Sequence, residues 1–410
     1  MKILMLGWEL PPHNSGGLGV ACYQLCKALA LRGVSIDFVV PYNDRHDNVD
    51  FMEVIPALPY PRQQLAAAGG AYDSRNFSEK TPRNHELPKG LREQQAAYTE
   101  AVCTIATRKK YDAVHAHDWL TFEAALVAKQ KTQKPLIAHV HATEFDRAAD
   151  VHFGGNPLVH DIEYTTLSQA DRIVAVSQAT KDLLTSRYAI PPQVIEVMHN
   201  SINPDELVPL EGENSYAYLS LMKQYGYKVV VNIGRLTIQK GLTHLLRAAR
   251  LVIDKDPSIL FLIAGCGEQY HELLELSASL GVSHNVLFTG TFVHGKQWRD
   301  AYAIGDMFVL PSVAEPFGIT PLEAIGYGTP ALISKQSGVG EVVRNVLKFD
   351  FWDIRKLADD IVAVAQHESL QAELIQNATD EFNTMSWHTV AEKCLQIYAK
   401  LPKTIGAASS

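Results

Sequence analysis

Along the chain, short runs that are apolar on both faces alternate with segments whose apolar positions recur every three or four residues. In the first half the runs are KILMLGW (2–8), VSIDFVV (34–40), FMEVIPA (51–57), YDAVHAH (111–117), PLIAHVHA (135–142), RIVAVS (172–177) and VIEVMHN (194–200). In the second half they are VVVNIGR (229–235), ILFLIAG (259–265), NVLFTG (285–290), DMFVLP (306–311), PALIS (330–334) and NVLKFD (345–350). Each predicts a strand, and the periodic segments between them predict helices. One helix carries Cys22, Leu25, Cys26 and Leu29 on a single face and is closed by Gly33. Near-continuous apolar strands separated by helices predict parallel sheets covered on both faces. The expected fold is therefore α/β, with two doubly wound, Rossmann-like domains facing a central cleft at the carboxyl ends of their strands.

The alternation breaks at HNSINPDELVP (199–209), which divides the chain into domains at 1–203 and 204–385. Residues 60–95 are polar and rich in Pro, Gly and charge, and predict a long loop; the tail GAASS (406–410) predicts a frayed end. A chain of 410 residues with 47% hydrophobic and 20% charged positions has ample apolar material for two cores. A net charge of −8 argues against nucleic acid as a partner. The five cysteines include no CxxC pair, no run reaches the length of a membrane helix, and the opening apolar run is too short for a signal peptide. These features fit a reduced, cytoplasmic protein with no integral membrane segment.

Candidate chemistry gathers at strand ends. AEPFGITPLEA (314–324) sets Glu315 and Glu323 eight positions apart, between a strand and a helix. Thr320 as N-cap, Pro321 at the first helical position and Glu323 three residues after the cap would form a capping box. Glu315 has no such role. The amides of Gly318, Ile319 and Thr320 at a helix start suit a phosphate. After VVVNIGR, Arg235 and Lys240 place two cations at the mouth of a sheet, as a diphosphate requires, although such charges are more often solvated. Gly16, Gly17 and Gly19 open a helix, and Gly265 and Gly267 follow another strand; each permits either a close ligand approach or a tight turn. The pairs His115/His117 and His139/His141 each share one sheet face. They match no metal-binding spacing, and with Asp118 and Trp119 they suit hydrogen bonding and stacking to sugars better than a metal.

Taken together, GGLG, HAHDW, HATEFDR, SQADRIVAVSQATKDLL, GRLTIQKG and the E-x7-E of Glu315 and Glu323 resemble retaining glycosyltransferases of the two-Rossmann (GT-B) type, family 4 and the glycogen and starch synthases. The resemblance covers nearly the whole chain. It implies a hexosyltransferase taking a glucosyl unit from ADP- or UDP-glucose to an α-glucan, with no cofactor and no metal. It implies that Arg235 and Lys240 hold the diphosphate, helped by Gly17 and by Gly318, Ile319 and Thr320, with Gly19 and Gly267 also binding the donor. Glu323 would bind the ribose, Glu315 and His141 the donor sugar, and Asp118 and Trp119 the acceptor. The last helix, about 386–402, would pack back on the first domain. Asn14 and Ser15 stand where bacterial glycogen synthases have Lys-x-Gly-Gly, and Val20 where they carry an acid. Another UDP- or GDP-sugar with a non-glucan acceptor therefore stays open, as does, more remotely, a dinucleotide-dependent oxidoreductase lacking GxGxxG.

Overall fold

A computed structural model describes residues 1–14, 16–47, 49–65, 90–149 and 154–402. The chain divides into two units, Met1–Asn200 with Trp387–Ser410, and Ser201–Ser386.

The first unit is built on a seven-stranded sheet in the order β3-β2-β1-β4-β5-β6-β7. Its strands are β1 (Lys2–Leu6), β2 (Ser35–Val40), β3 (Glu53–Pro56), β4 (Ala113–His117), β5 (Leu136–Val140), β6 (Arg172–Ala175) and β7 (Ile195–Val197). The second unit has six strands in the order β10-β9-β8-β11-β12-β13. These are β8 (Lys228–Ile233), β9 (Ile259–Ala264), β10 (Val286–Phe288), β11 (Met307–Leu310), β12 (Ala331–Ser334) and β13 (Leu347–Phe349). Every apolar run of the sequence forms a strand, and each strand is parallel to its neighbours.

Burial explains why. Ile3, Leu4, Met5 and Leu6 are all fully buried, as β4, β5 and β9 are throughout, because helices cover both faces. Helix Gly17–Ala30 buries Cys22, Leu25, Cys26 and Leu29, and the turn after it passes through Gly33 at φ 81°. Helix Trp387–Ala399 lies against it, burying Ala391, Cys394, Ile397 and Tyr398. In the second unit, helix Leu242–Lys255 sets Leu242, Leu245, Leu246, Ala249 and Val252 on Val230, Phe261 and Met307. Each such leucine contributes roughly 1.5–3 kcal/mol by leaving water.

Of the region 60–95, Arg62–Leu65 and Leu91–Arg108 are helical; 66–89, like the tail 406–410, lies outside the described residues. Among the described residues no helix is long and apolar enough to cross a membrane.

Two glycines fasten the loops at one end of the second sheet. A Cβ on Gly241 (φ 65°) would sit 2.0 Å from the Pro311 carbonyl oxygen, and one on Gly265 would sit 1.9 Å from that of Gly234. Gly241→Ala is thus expected to cost at least ~2 kcal/mol in urea unfolding, from both clash and left-handed backbone. Gly234→Ala, whose Cβ would meet nothing within 4 Å, is expected to be near neutral.

Candidate functional site

The order of the second sheet puts β9 on one side of β8 and β11 on the other. Chains leaving β8 and β11 therefore part at a topological switch point, where open parallel sheets leave a crevice. The loop after β8 is compact: the Thr237 amide donates to the Arg235 carbonyl at 3.1 Å and the Lys240 amide to that of Thr237 at 3.0 Å. It carries both Arg235 and Lys240. Lys240 Nζ donates to Glu315 Oε2 at 2.6 Å, and Ser312 Oγ donates to the same oxygen at 2.9 Å. The pair is sheltered, the Lys240 side chain being 19% and that of Glu315 9% exposed. Backbone bonds from Glu315 N to Gln336 O and from Gly338 N to Glu315 O fix the carboxylate's carrier, and Val313 N to Gln239 O ties the two loops. Gly318 (φ 92°) folds over this carboxylate; a Cβ there would stand 3.0 Å from Glu315 Cγ.

The capping box does not form. Ile319 already has helical angles (φ −77°, ψ −30°), so Thr320 lies inside helix Thr320–Gly326 and the cap carries no side-chain bond. Glu323 instead accepts from the Tyr302 hydroxyl at 2.7 Å. Burial lifts its carboxyl to about 7, against the lowering effect of that bond. A Cβ on Gly267 would strike the Leu236 backbone at 2.4 Å, so this glycine seats the Arg235 loop.

In the first unit the switch point lies between β1 and β4. After β1 the chain enters helix Gly17–Ala30. A Cβ on Gly19 would meet Asn14 Cβ at 2.7 Å and Glu9 O at 3.3 Å, so packing on the preceding loop demands this glycine. After β4, Asp118 adopts φ 58° and ψ 171°, a conformation that costs a non-glycine residue roughly 1–3 kcal/mol. What holds it there is its carboxylate: Oδ1 accepts from the amides of His141 (2.6 Å) and Ala142 (3.3 Å). Burial raises Asp118 to about 7, while Arg147 and those amides pull the other way. Asp118 thus orients the segment that carries His141. Trp119 corrects the sequence reading: it is 1% exposed and faces the Arg147 guanidinium, because the strained turn at Asp118 carries it into the core. It offers no open ring to a sugar.

The four histidines form one array, with His139 stacked on His141 and His115 on His117. His117 Nδ1 lies 3.0 Å from His141 Nε2, and His117 Nε2 lies 3.1 Å from Met5 Sδ. His115 Nε2 is 3.3 Å from His139 Nδ1, and its Nδ1 is 2.7 Å from the Tyr398 hydroxyl. Burial pushes His115 and His141 down to about 3 and His117 and His139 well below their ordinary value, so the array is neutral. Among the described residues, ligand atoms of Cys22, His117 and His141 lie within 4.8 Å of one another, as do those of His115, His117 and His139. Sequence reasoning missed Ser312, Tyr302, Met5 and Cys22 as neighbours of the site. The Ser312-x-x-Glu315 spacing was a usable signal, whereas Tyr302 and Met5 come from distant segments.

Residues 15–206 match the family described as "Glycosyltransferase Family 4", and residues 220–381 match "Glycosyl transferases group 1". An uncharacterised glycosyltransferase of Methanocaldococcus jannaschii is 29% identical, over 97% of this chain and 98% of that one. A glycogen synthase of Mycobacterium tuberculosis is 27% identical, over 97% and 94% respectively. An Anabaena protein solved in complex with UDP and glucose superposes with a TM-score of 0.72 at 19% identity, over 98% of this chain and 100% of that one. Two doubly wound parallel units in one chain give it the two-domain GT-B fold of that structure. The chain belongs to the family 4 glycosyltransferases.

Because the folded protein holds the Glu323 proton up to about pH 7 and the unfolded chain only up to about 4.5, stability falls as pH rises between those values. The slope is roughly 1.4 kcal/mol per pH unit, and above 7 the penalty is constant. Glu323→Gln keeps an acceptor for Tyr302 and removes the charge. Its denaturation midpoint is expected to match the wild type near pH 4.5 and to exceed it at pH 8.

Proposed function

We propose that this protein is a retaining hexosyltransferase that moves a glucosyl unit from ADP- or UDP-glucose to an α-glucan. The observation that carries this reading is the Lys240–Glu315–Ser312 cluster, on one compact loop system with Arg235 at the switch point of the second unit. Arg235 and Lys240 neutralise the departing diphosphate, and the amides of Gly318, Ile319 and Thr320 supply donors to it. Glu315 serves the donor sugar, where positive charge develops as the glycosidic bond breaks. Glu323, set beside Tyr302, binds the ribose. From the first unit, Gly17 and Gly19 admit the diphosphate, His141 offers a neutral imidazole to the sugar, and Asp118 holds His141 and meets the acceptor.

Retention follows if the acceptor hydroxyl attacks the face the diphosphate leaves, its proton passing to a phosphate oxygen. The new glycosidic bond forms as the old one breaks, and nucleoside diphosphate departs. No covalent enzyme nucleophile, cofactor or metal enters this scheme. The glycogen synthase relative and the UDP- and glucose-bound structural neighbour support glucose as the sugar.

The test is a panel of ADP-, UDP- and GDP-sugars with and without maltooligosaccharides, scoring diphosphate release and product mass. Glucan-dependent release from ADP- or UDP-glucose, with a product one α-linked hexose longer, is expected. Lys240→Ala and Glu315→Gln are each expected to lower kcat ~10²–10³-fold with circular dichroism unchanged. Release from a different sugar, or only with a non-glucan acceptor, overturns the specificity; undiminished turnover in Lys240→Ala overturns the site.

A further inference from the structure

We propose that Cys22, His117 and His141 form a binding site for a zinc-class divalent ion, and that occupancy of this site shuts off sugar transfer. The three ligand atoms lie within 4.8 Å of one another and come from three separately anchored elements. Cys22 is on helix Gly17–Ala30 and His117 closes β4. His141 follows β5, where Asp118 Oδ1 grips its amide. One thiolate and two imidazoles are the ligand types that zinc selects, and three protein ligands leave a fourth position open.

Met5 prepares the site. An imidazole N–H can donate to a thioether, whereas two lone pairs face to face repel, so the 3.1 Å contact to Met5 Sδ assigns the His117 proton to Nε2. The Nδ1 lone pair of His117 is then left pointing toward His141, accepting from its Nε2–H in the empty protein. An ion takes the place of that proton, which moves to His141 Nδ1, and the Cys22 thiol proton leaves to solvent. No electron is transferred. The triad His115, His117, His139 shares His117, so the two ligand sets compete for one ion. The Cys22 set has the thiol, and its His141 is only partly buried, which provides a way in. The inhibitory consequence rests on the proposed role of His141 toward the donor sugar; the site itself does not.

The experiment titrates the reduced, chelator-stripped full-length protein with Co²⁺ as a spectroscopic probe, followed by Zn²⁺ competition. One equivalent of cobalt with a thiolate charge-transfer band and tetrahedral d–d bands is expected. Cys22→Ser is expected to abolish the charge-transfer band, and the control Cys103→Ser to keep it. Met5→Leu, which removes only the orienting sulfur, is expected to weaken zinc ~10–100-fold, as loss of a supporting partner does. Absence of the band in the wild type, or its persistence in Cys22→Ser, overturns the site. Loss of acceptor-dependent diphosphate release at one equivalent of zinc confirms the inhibition, and unaffected release with the ion bound overturns it. If no transfer occurs even without metal, the transferase reading fails while the cobalt spectrum still decides the site.

Discussion

Every strand in both sheets runs the same way, and that single constraint arranges the rest. Parallel neighbours cannot be joined by tight turns, so each return is a helix, and the carboxyl ends of all strands open on one edge of each sheet. Chains diverge at that edge only where the strand order reverses, beside β1 and beside β8. The residues assigned to chemistry stand at those two places. Gly17, Gly19, Asp118 and His141 follow β1, β4 and β5, and Arg235, Lys240 and Glu315 follow β8 and β11. Much of the polar chemistry gathers in the loops at those edges, and the loops are held by backbone contacts so close that Gly241 and Gly265 have no room for a side chain.

The buried carboxylates at these edges are handled in different ways. Glu315 has a cation and a hydroxyl on one oxygen. Glu323 accepts from a phenol, and burial lifts its carboxyl to about 7. Asp118 is paired with two amides and held by them in a backbone conformation most residues avoid. Removing one partner of a buried ion pair leaves the other uncompensated, at a cost of ~3–5 kcal/mol, so such groups weaken a fold unless each is matched. A molecule selected for stability alone would replace Glu323 with an uncharged side chain. Its position against Tyr302, three residues after Thr320 in helix Thr320–Gly326, is what the proposed ribose contact would use.

The strands were legible because burial on both faces leaves no alternation to misread; all apolar runs paired in register. Arg235, Lys240 and Glu315 could be picked out because charges at strand ends stand against an apolar background. Side-chain partners were not legible, since they depend on geometry that local spacing does not contain. A Thr-Pro-x-Glu run looks like a capping box until Gly318 turns the chain so that helical angles start at Ile319. Trp119 beside His117 and Asp118 looks like a sugar platform until the positive φ of Asp118 sends it inward. Cys22 reads as one more core residue. Only tertiary packing shows its sulfur near His117 and His141.

The two units share a topology and divide the electrostatic labour. The second offers fixed charge, a guanidinium and an ammonium beside carboxylates, the equipment for an anion. The first offers neutral imidazoles, glycine-rich helix backbone and a carboxylate turned to its own amides, the equipment for hydroxyl groups. This division fits a donor made of a highly charged diphosphate and an uncharged sugar. On the proposed reading, Arg235, Lys240 and the Gly318–Thr320 turn meet a diphosphate, which ADP- and UDP-sugars have in common, and so do not separate them. On that reading the bases are separated by residues beyond the phosphate seat, and the loop before Gly16, where Asn14 and Ser15 stand in place of the lysine-bearing pattern of bacterial glycogen synthases, bears on both the ADP-glucose donor and the glucan acceptor. Identity of 27% to a glycogen synthase across nearly the whole chain is compatible with that.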